Sequence, residues 1–222
     1  MQAWAKFPTG WILQQKGLTF IGWRKYKSDG TAALLVLIAL AVKRNLDQKG
    51  HKRHSDTSIV TATYDEIQEL LNISRSKVAK GLALLVQLKI INRVENHRSG
   101  YHLIGLGDLG GWAKLPQERL MGSNRISVFE VFYLRSKSEL YALKLYLLLM
   151  AVRDRKTGYA HIGYDRITEY SGIHGSNIKK AKSHLISLGL IYVEDDHEFA
   201  REKSEPPLRY KILGLPTIIM EE

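Results

Sequence analysis

Residues 72–88 read NISRSKVAKGLALLVQL, and residues 172–188 read GIHGSNIKKAKSHLISL. Each segment begins with a tripeptide whose central residue is Ile, which predicts a tight turn with one buried side chain. The residues after the turn place apolar or small side chains at helical spacing, and these positions match between the segments: Val78, Gly81, Leu85 and Leu88 correspond to Ile178, Ala181, Leu185 and Leu188. One apolar stripe at this period predicts a helix with one buried face, over Arg75–Leu88 and Ser176–Leu188.

The similarity extends over the whole chain and indicates an internal duplication. Trp4-Ala5-Lys6-Phe7-Pro8 recurs as Trp112-Ala113-Lys114-Leu115-Pro116, and Leu40-Ala41-Val42-Lys43 resembles Met150-Ala151-Val152-Arg153. Tyr64-Asp65-Glu66-Ile67 recurs as Tyr164-Asp165-Arg166-Ile167, and the closing segment Tyr101–Leu106 matches Tyr210–Leu215. Because these segments keep the same order, the sequence predicts two copies of one domain, 1–107 and 108–222.

Each copy has a readable order of elements. A long apolar helix comes first, with Ser28 or Asp29 as the cap in the first copy and Ser136 or Ser138 in the second. A short amphipathic helix (Tyr64–Leu71, Tyr164–Ser171), the turn and the striped helix follow. Two strands close each copy: Ile90–Glu95 and Tyr101–Gly105 in the first, Leu190–Glu194 and Leu208–Gly214 in the second. The predicted fold class is therefore α+β, mainly α.

This order of elements resembles that of the winged helix-turn-helix superfamily. The phrase Leu185-x-x-Leu188-Gly189-Leu190-Ile191 is similar to the end of the recognition helix in that superfamily. The resemblance covers roughly 60 residues of each copy and implies two tandem winged-helix domains, each with a DNA-reading helix and a β-hairpin wing.

Composition favours a polyanionic partner. Among 222 residues, 33 are Lys or Arg and 22 are Asp or Glu, which gives a net charge of +11 and favours nucleic acid. The absence of Cys excludes disulfides, thiolate metal sites and Cys nucleophiles, and fits a reducing cytoplasm. The longest uncharged apolar run, Ala32–Val42, is too short to span a membrane, and the N-terminus does not resemble a signal peptide. We therefore expect a cytoplasmic protein, associated with a bacterial nucleoid or plasmid.

The predicted DNA contacts lie on the polar faces of the striped helices. The positions away from the apolar stripe are expected to face outward. They are Arg75, Ser76, Lys77 and Lys80 in the first copy, and Ser176, Asn177, Lys179 and Lys180 in the second. Arg reads guanine, Asn reads adenine, and Lys and Ser mostly bind phosphates. Both helix faces carry cations and no acid. A Lys-rich face that is merely solvated is the alternative.

The loops of the two copies differ in charge. In the first copy the wing contains His97 and Arg98, and a basic loop from Lys43 to His54 contains Lys52 and Arg53. The second wing is acidic between Glu194 and Glu205, so we expect it to face protein or solvent. Residues 1–107 carry 16 basic and 7 acidic residues (net +9), against 17 and 15 (net +2) in residues 108–222. The first copy is therefore expected to supply most of the non-specific affinity for DNA.

Signatures of catalysis are missing. The sequence contains no Walker-type phosphate loop, no Gly-x-Ser-x-Gly and no His-Glu-x-x-His. His51 and His54 have only Asp56 nearby, which is too few ligands for a zinc site. We therefore expect no enzyme activity, no cofactor and no metal.

Two winged helices in a chain of this length resemble plasmid replication initiators, and the segment Ser138–Tyr146 is similar to the opening helix of such domains. The resemblance implies sequence-specific binding of double-stranded DNA, with replication initiation on a plasmid or mobile element as its purpose. Transcriptional regulation of a mobile element and a winged-helix scaffold for protein assembly are the alternatives. The second domain is also a candidate surface for a homodimer or for a replication or transcription partner.

Overall fold

The computed structural model describes residues 3–47, 58–106, 111–194 and 208–215 of the chain. Residues 3–106, the first half, contain β1 (Ala5–Pro8), α1 (Gly10–Leu13), α2 (Trp23–Asp47), β2 (Ile59–Thr61), α3 (Tyr64–Leu71), α4 (Arg75–Gln87), β3 (Ile91–Arg93) and β4 (Gly100–Leu103). Residues 111–215, the second half, contain β5 (Trp112–Leu115), α5 (Gln117–Leu120), α6 (Lys137–Val152), β6 (Tyr159–His161), α7 (Tyr164–Ser171), α8 (Ser176–Ser187), β7 (Ile191–Glu194) and β8 (Arg209–Ile212). The fold is α+β and mainly helical, as predicted.

The order of elements in the first half recurs in the second. A short 3-10 turn lies between the first two helices of each half, at Gly17–Phe20 and at Ser127–Phe129. Each half also forms a three-stranded antiparallel sheet, in the order β2-β4-β3 and β6-β8-β7, from one strand before the helix pair (α3 and α4, or α7 and α8) and two after it. The central strand of each sheet contributes a fully buried tyrosine, Tyr101 or Tyr210. The outer strands β2 and β6 were not predicted, because three residues are too short to show an alternating pattern.

The long helices α2 and α6 begin differently. Ser136 caps α6: its side chain accepts a hydrogen bond from the helix backbone, while the Glu139 carboxylate accepts one from Ser136 N at 3.3 Å. Helix α2 already begins at Trp23 and is interrupted at Lys27, whose φ is 48°. The predicted start at Ser28 or Asp29 therefore describes only the long segment after this interruption.

The repeated Trp-Ala-Lys-x-Pro segments pair with each other. Strands β1 and β5 form a two-stranded antiparallel ribbon in which Lys6 is opposite Lys114. The Trp4 and Trp112 rings stack at 5.7 Å between centroids. Lys6 Nζ lies 5.3 Å from the centroid of the Trp112 ring, and Lys114 Nζ lies 4.9 Å from that of Trp4. Each half thus contributes the same residues to a reciprocal contact, the arrangement expected of an interface between two similar units.

The segments before the long helices also cross between the halves. Lys16, ahead of α2, donates a hydrogen bond to Glu169 in α7 at 2.6 Å. Reciprocally, Ile126 N, ahead of α6, donates to the carbonyl of Leu70 at the end of α3 at 2.8 Å. These segments, residues 14–22 and 121–136, are called the crossed arms below. Each contacts the first helix of the helix pair in the opposite half, so the two helix pairs are held in a fixed relation.

One continuous core joins the two halves. Helices α2 and α6 pack against each other, and the buried apolar residues of both halves form a single cluster. A cation interrupts this core: Lys144 in α6 is only 2% exposed. Among the described residues, its Nζ donates one hydrogen bond, to the carbonyl of Ile21 at 3.2 Å. Burial lowers the pKa of Lys144 to about 8. Within the described ranges, none of the helices is long and apolar enough to cross a bilayer.

Gly81 allows α4 to approach α2 closely, and we expect Gly81→Val to lower the free energy of unfolding by about 2 kcal/mol. A Cβ at this position would lie 3.1 Å from the Ala32 backbone and 3.1 Å from Val36 Cγ2, so the helices would have to separate. Chemical denaturation measures the change. Val has a higher helix propensity than Gly, so propensity alone would raise the free energy of unfolding. Gly81→Ala, which adds only the Cβ, is the matched control and is expected to cost less. A Val variant as stable as the unmodified chain would contradict the close approach of the two helices.

Candidate nucleic-acid interface

Each half contains two helices joined by a tight turn. Asn72 and Gly172 end the first helix of each pair in the left-handed conformation, with φ of 53° and 67°. The turn of the second half is tied down further, because Thr168 Oγ1 donates to the Ile173 carbonyl at 2.8 Å and the Ile173 side chain is fully buried. Both turns thus form where they were predicted. The prediction of a buried Ile in each turn is confirmed for Ile173, whereas Ile73 is only half-buried.

The first two turns of α8 present an exposed and basic surface. Ile178, Ala181 and Leu185 are buried, while Ser176, Lys179 and Lys180 are exposed and Asn177 is half-buried. Neither Lys179 nor Lys180 forms an ion pair within the part of the chain that the structure describes. The helix begins after Gly175, which supplies no side-chain cap. This end of α8 therefore combines uncompensated positive charge with backbone N–H groups that no side chain caps.

The corresponding face of α4 is different, and the expectation that Lys77 faces outward is wrong. Lys77 Nζ is turned toward α2, where it donates to Ser28 Oγ and Asp29 Oδ1, both at 2.6 Å. Lys80 is exposed, but its Nζ lies 3.7 Å from Asp29 Oδ2. One carboxylate from the start of α2 thus partly neutralises two cations of α4.

Arg75 is also paired. Its guanidinium forms an ion pair with Asp65 and lies over the ring of Tyr64, 5.4 Å from the centroid. Helix α4 itself carries no acid, but the neighbouring helices supply two, so its face is less positive than the sequence of the helix alone indicates. The N-terminus of α4 is capped, because Ser74 Oγ accepts a hydrogen bond from Lys77 N. Ser76 is exposed, as expected.

Arg93 belongs to the same surface and was missed from the sequence. Its guanidinium donates to Tyr64 Oη at 3.1 Å, so Tyr64 connects Arg93 of β3 with Arg75 of α4. This hydrogen bond raises the pKa of Arg93. The available signal was the position of Arg93 in a strand that follows the striped helix, but the sequence does not show that it meets Tyr64.

The turn between β3 and β4, which the sequence predicts as a wing, is short and exposed. Val94 N donates to the Gly100 carbonyl at 3.0 Å, which closes the turn, and Asn96 adopts a left-handed conformation with φ of 58°. His97 and Arg98 are exposed at its tip, as predicted. These two side chains are therefore open to a ligand.

Several predicted residues fall elsewhere. Lys52 and Arg53 lie outside the described residues, as do His51, His54 and the acidic stretch 195–205 of the second wing. The basic loop does not begin at Lys43, because α2 continues to Asp47. Lys43 is paired with Asp47 at 2.7 Å and with Glu66 at 3.2 Å, and Arg44 is buried. Among the described residues, no cluster of three or more His, Asp or Glu is arranged to hold a metal ion.

If the polar face of α4 meets DNA, Asp29→Asn is expected to tighten binding about threefold at low salt, because it removes a negative charge and releases Lys77 and Lys80. Fluorescence anisotropy of a labelled duplex measures the change. Glu118→Gln in α5 removes the same charge beside the ribbon and should leave the affinity almost unchanged. Equal gains in both variants would indicate that only net charge matters.

Comparison with known proteins gives no relative: no family model matches the chain, and no curated protein or solved structure matches it significantly.

Proposed function

We propose that this protein binds double-stranded DNA sequence-specifically through two helix-turn-helix units, each part of a winged-helix domain, with the two domains arising by duplication. The observation that carries the proposal is the recurrence, in one chain, of a helix pair whose second helix exposes its polar N-terminal half. In a helix-turn-helix this part of the second helix enters the major groove. Helices α4 and α8 are accordingly assigned as the reading helices.

The sheets support the assignment. In each half a three-stranded antiparallel sheet contains one strand that precedes the helix pair and two that follow it. The two later strands form a hairpin, the element that serves as the wing in a winged helix. The hairpin of the first half ends in exposed His97 and Arg98, which are suited to the DNA backbone.

The fixed relation of the halves supports a bipartite DNA site. The ribbon of β1 and β5, the shared core and the crossed arms hold α4 and α8 on one rigid framework. A dimer of helix-turn-helix proteins reads two half-sites spaced by about one helical turn of DNA, about 34 Å. In this protein, a single chain would read both half-sites.

The two helices are proposed to contribute unequally. The cations of α8 have no acidic partners among the described residues, whereas those of α4 meet Asp29 and Asp65. We therefore assign the larger share of phosphate contacts made by the reading helices to α8, although the second half has the lower net charge. Helix α4, with Arg75 beside Tyr64 and Arg93, is assigned the additional base and backbone contacts.

Replication initiation on a plasmid or mobile element is the role that the sequence resemblance implies, with transcriptional regulation as the alternative. The location of the bound sites separates the two: repeats at an origin favour an initiator, and sites at promoters favour a regulator.

Binding to DNA is tested by anisotropy titration of a labelled random-sequence duplex at several salt concentrations between about 50 and 200 mM. We expect the logarithm of the association constant to fall linearly with the logarithm of salt concentration, with a slope of about −0.9 for each phosphate contact. A scaffold for protein assembly, which the exposed Val131 and Tyr133 would suit, predicts little DNA binding and almost no slope. That result would contradict the proposal.

A further inference from the structure

A cavity of about 440 Å³ lies beside the ribbon, where the end of α6 meets α1 and β5. Its volume is in the range of small-molecule sites, about 300–1,000 Å³. Leu13, Met150 and Ala151 supply an apolar wall, and Trp112 also lines the cavity. Both halves of the chain contribute, because Thr9 and Leu13 belong to the first half. The cavity is therefore a composite pocket, separate from the reading helices.

Three cations line this cavity: Lys114, Arg153 and Arg155. None of the three forms an ion pair within the described ranges. The neighbouring acid, Asp154, turns its carboxylate back to the chain, where Oδ1 accepts hydrogen bonds from the backbone N–H groups of Lys156 and Thr157 at 2.8 and 2.7 Å. Asp154 therefore acts on Arg153 only through space, and positive charge predominates at the cavity.

Existing contacts hold the two guanidiniums in place. Arg155 lies 4.8 Å from the centroid of the Trp112 ring and donates to the Trp112 carbonyl at 3.3 Å. Arg153 Nε donates to the Gly158 carbonyl at 3.0 Å. Each of these bonds uses one donor, and a guanidinium has five. The remaining donors are oriented without further cost in side-chain freedom, which favours binding of an anion.

The matching place in the first half shows what a closed version of this site looks like. Counting from the matched ends of α2 and α6, Lys43 corresponds to Arg153 and Asn45 to Arg155, and counting along the ribbon Gln117 corresponds to Thr9. There Asn45 Nδ2 donates to Gln117 Oε1 at 2.6 Å, in a buried bond, and Lys43 is neutralised by two carboxylates. Among the described residues, only the second half thus has cations without an ion pair at this position.

We propose that the cavity beside the ribbon binds a small organic anion, whose carboxylate or phosphate group contacts Arg153, Arg155 and Lys114. Its aliphatic or planar part lies against Leu13, Met150 and Ala151. The proposal does not depend on DNA binding by the reading helices. Because the ligand would touch both halves and bind only the folded chain, it also stabilises the fold.

The test is a fluorescence titration of the full chain with 8-anilinonaphthalene-1-sulfonate, a planar apolar anion, followed by displacement with benzoate or with phenyl phosphate. We expect saturable binding that is weakened about tenfold by Arg155→Gln and also by Ala151→Phe, which fills the cavity without changing charge. Lys137→Gln, which removes a charge at the opposite end of α6, is expected to bind as the unmodified chain does. The more effective competitor identifies the anionic group.

Equal dye affinity in the Arg155→Gln variant and the unmodified chain would overturn the proposal, since the dye would then bind elsewhere. An equal loss in the Lys137→Gln variant would overturn it too, because general electrostatic attraction would explain the binding. If duplex DNA displaces the dye and neither small anion does, the cavity binds the DNA backbone and not an organic anion. That result would also overturn the proposal. Thermal unfolding of each variant without dye shows that the chain is folded.

Discussion

Replacing Lys179 and Lys180 together with Ala is expected to weaken DNA binding about 50-fold at about 0.1 M salt and to reduce the magnitude of the salt slope by about 2. The reason is that each phosphate contact contributes about 0.9 to that slope. Both side chains are exposed on α8 and have no ion pair among the described residues, so no protein carboxylate competes with phosphate for them. Anisotropy titrations at several salt concentrations measure both quantities.

The matched comparison is a double variant of α4, in which Arg75 and Lys80 are together replaced with Ala. These cations already face Asp65 and Asp29, so their removal is expected to weaken binding only a few-fold. If the α4 variant loses more affinity than the α8 variant, the assignment of the phosphate contacts is wrong and the net charge of the halves predicts the contacts better.

Lys144→Met is expected to stabilise the protein by about 2 kcal/mol at pH 7 and to raise the melting temperature by roughly 4–8 °C. Burial lowers the pKa of Lys144 from its ordinary 10.5 to about 8. That difference corresponds to about 3 kcal/mol of unfavourable free energy for the buried charge, of which about 1 kcal/mol is offset by the hydrogen bond to Ile21. Leu34 fills the corresponding place in α2, so an apolar side chain suits this packing.

The pH dependence of stability tests the same point. Because the pKa of Lys144 is lower in the folded chain, the unfolded chain binds more protons between about pH 8 and 10.5. The contribution of Lys144 is therefore fully destabilising below about pH 8 and disappears as the pH rises toward 10.5. Urea unfolding should show the advantage of the Met variant shrinking over this interval. A pH-independent advantage would mean that packing, not charge, is responsible.

The helix pairs could be predicted from the sequence because their signals are local. Thr63 and Glu66 form a capping box at the start of α3. The buried face of α4 is defined by residues only three or four positions apart in the sequence. The predicted start of each of the four helices agrees with the structure. The short strands β2 and β6 lack such signals, although the run Ile59-Val60-Thr61 is rich in β-branched residues.

The electrostatic character of the site could not be predicted, because it depends on contacts between distant residues. Asp29 meets Lys77 only because α2 and α4 pack closely at Gly81. The pairing of Trp4 with Trp112 likewise joins segments that are far apart in the chain, and neither segment alone shows its partner. Sequence identified which cations are available, whereas the fold decides which of them meet an acid.

The most direct test of the central claim is selection of bound sites from a random duplex pool, at two salt concentrations, followed by sequencing. Since the ribbon, the core and the crossed arms fix α4 relative to α8, we predict an enriched motif with two half-sites at one constant spacing. Enrichment of a single half-site, or of two half-sites at variable spacing, would contradict a rigid tandem reader. No enrichment at either salt concentration would contradict sequence-specific DNA binding itself.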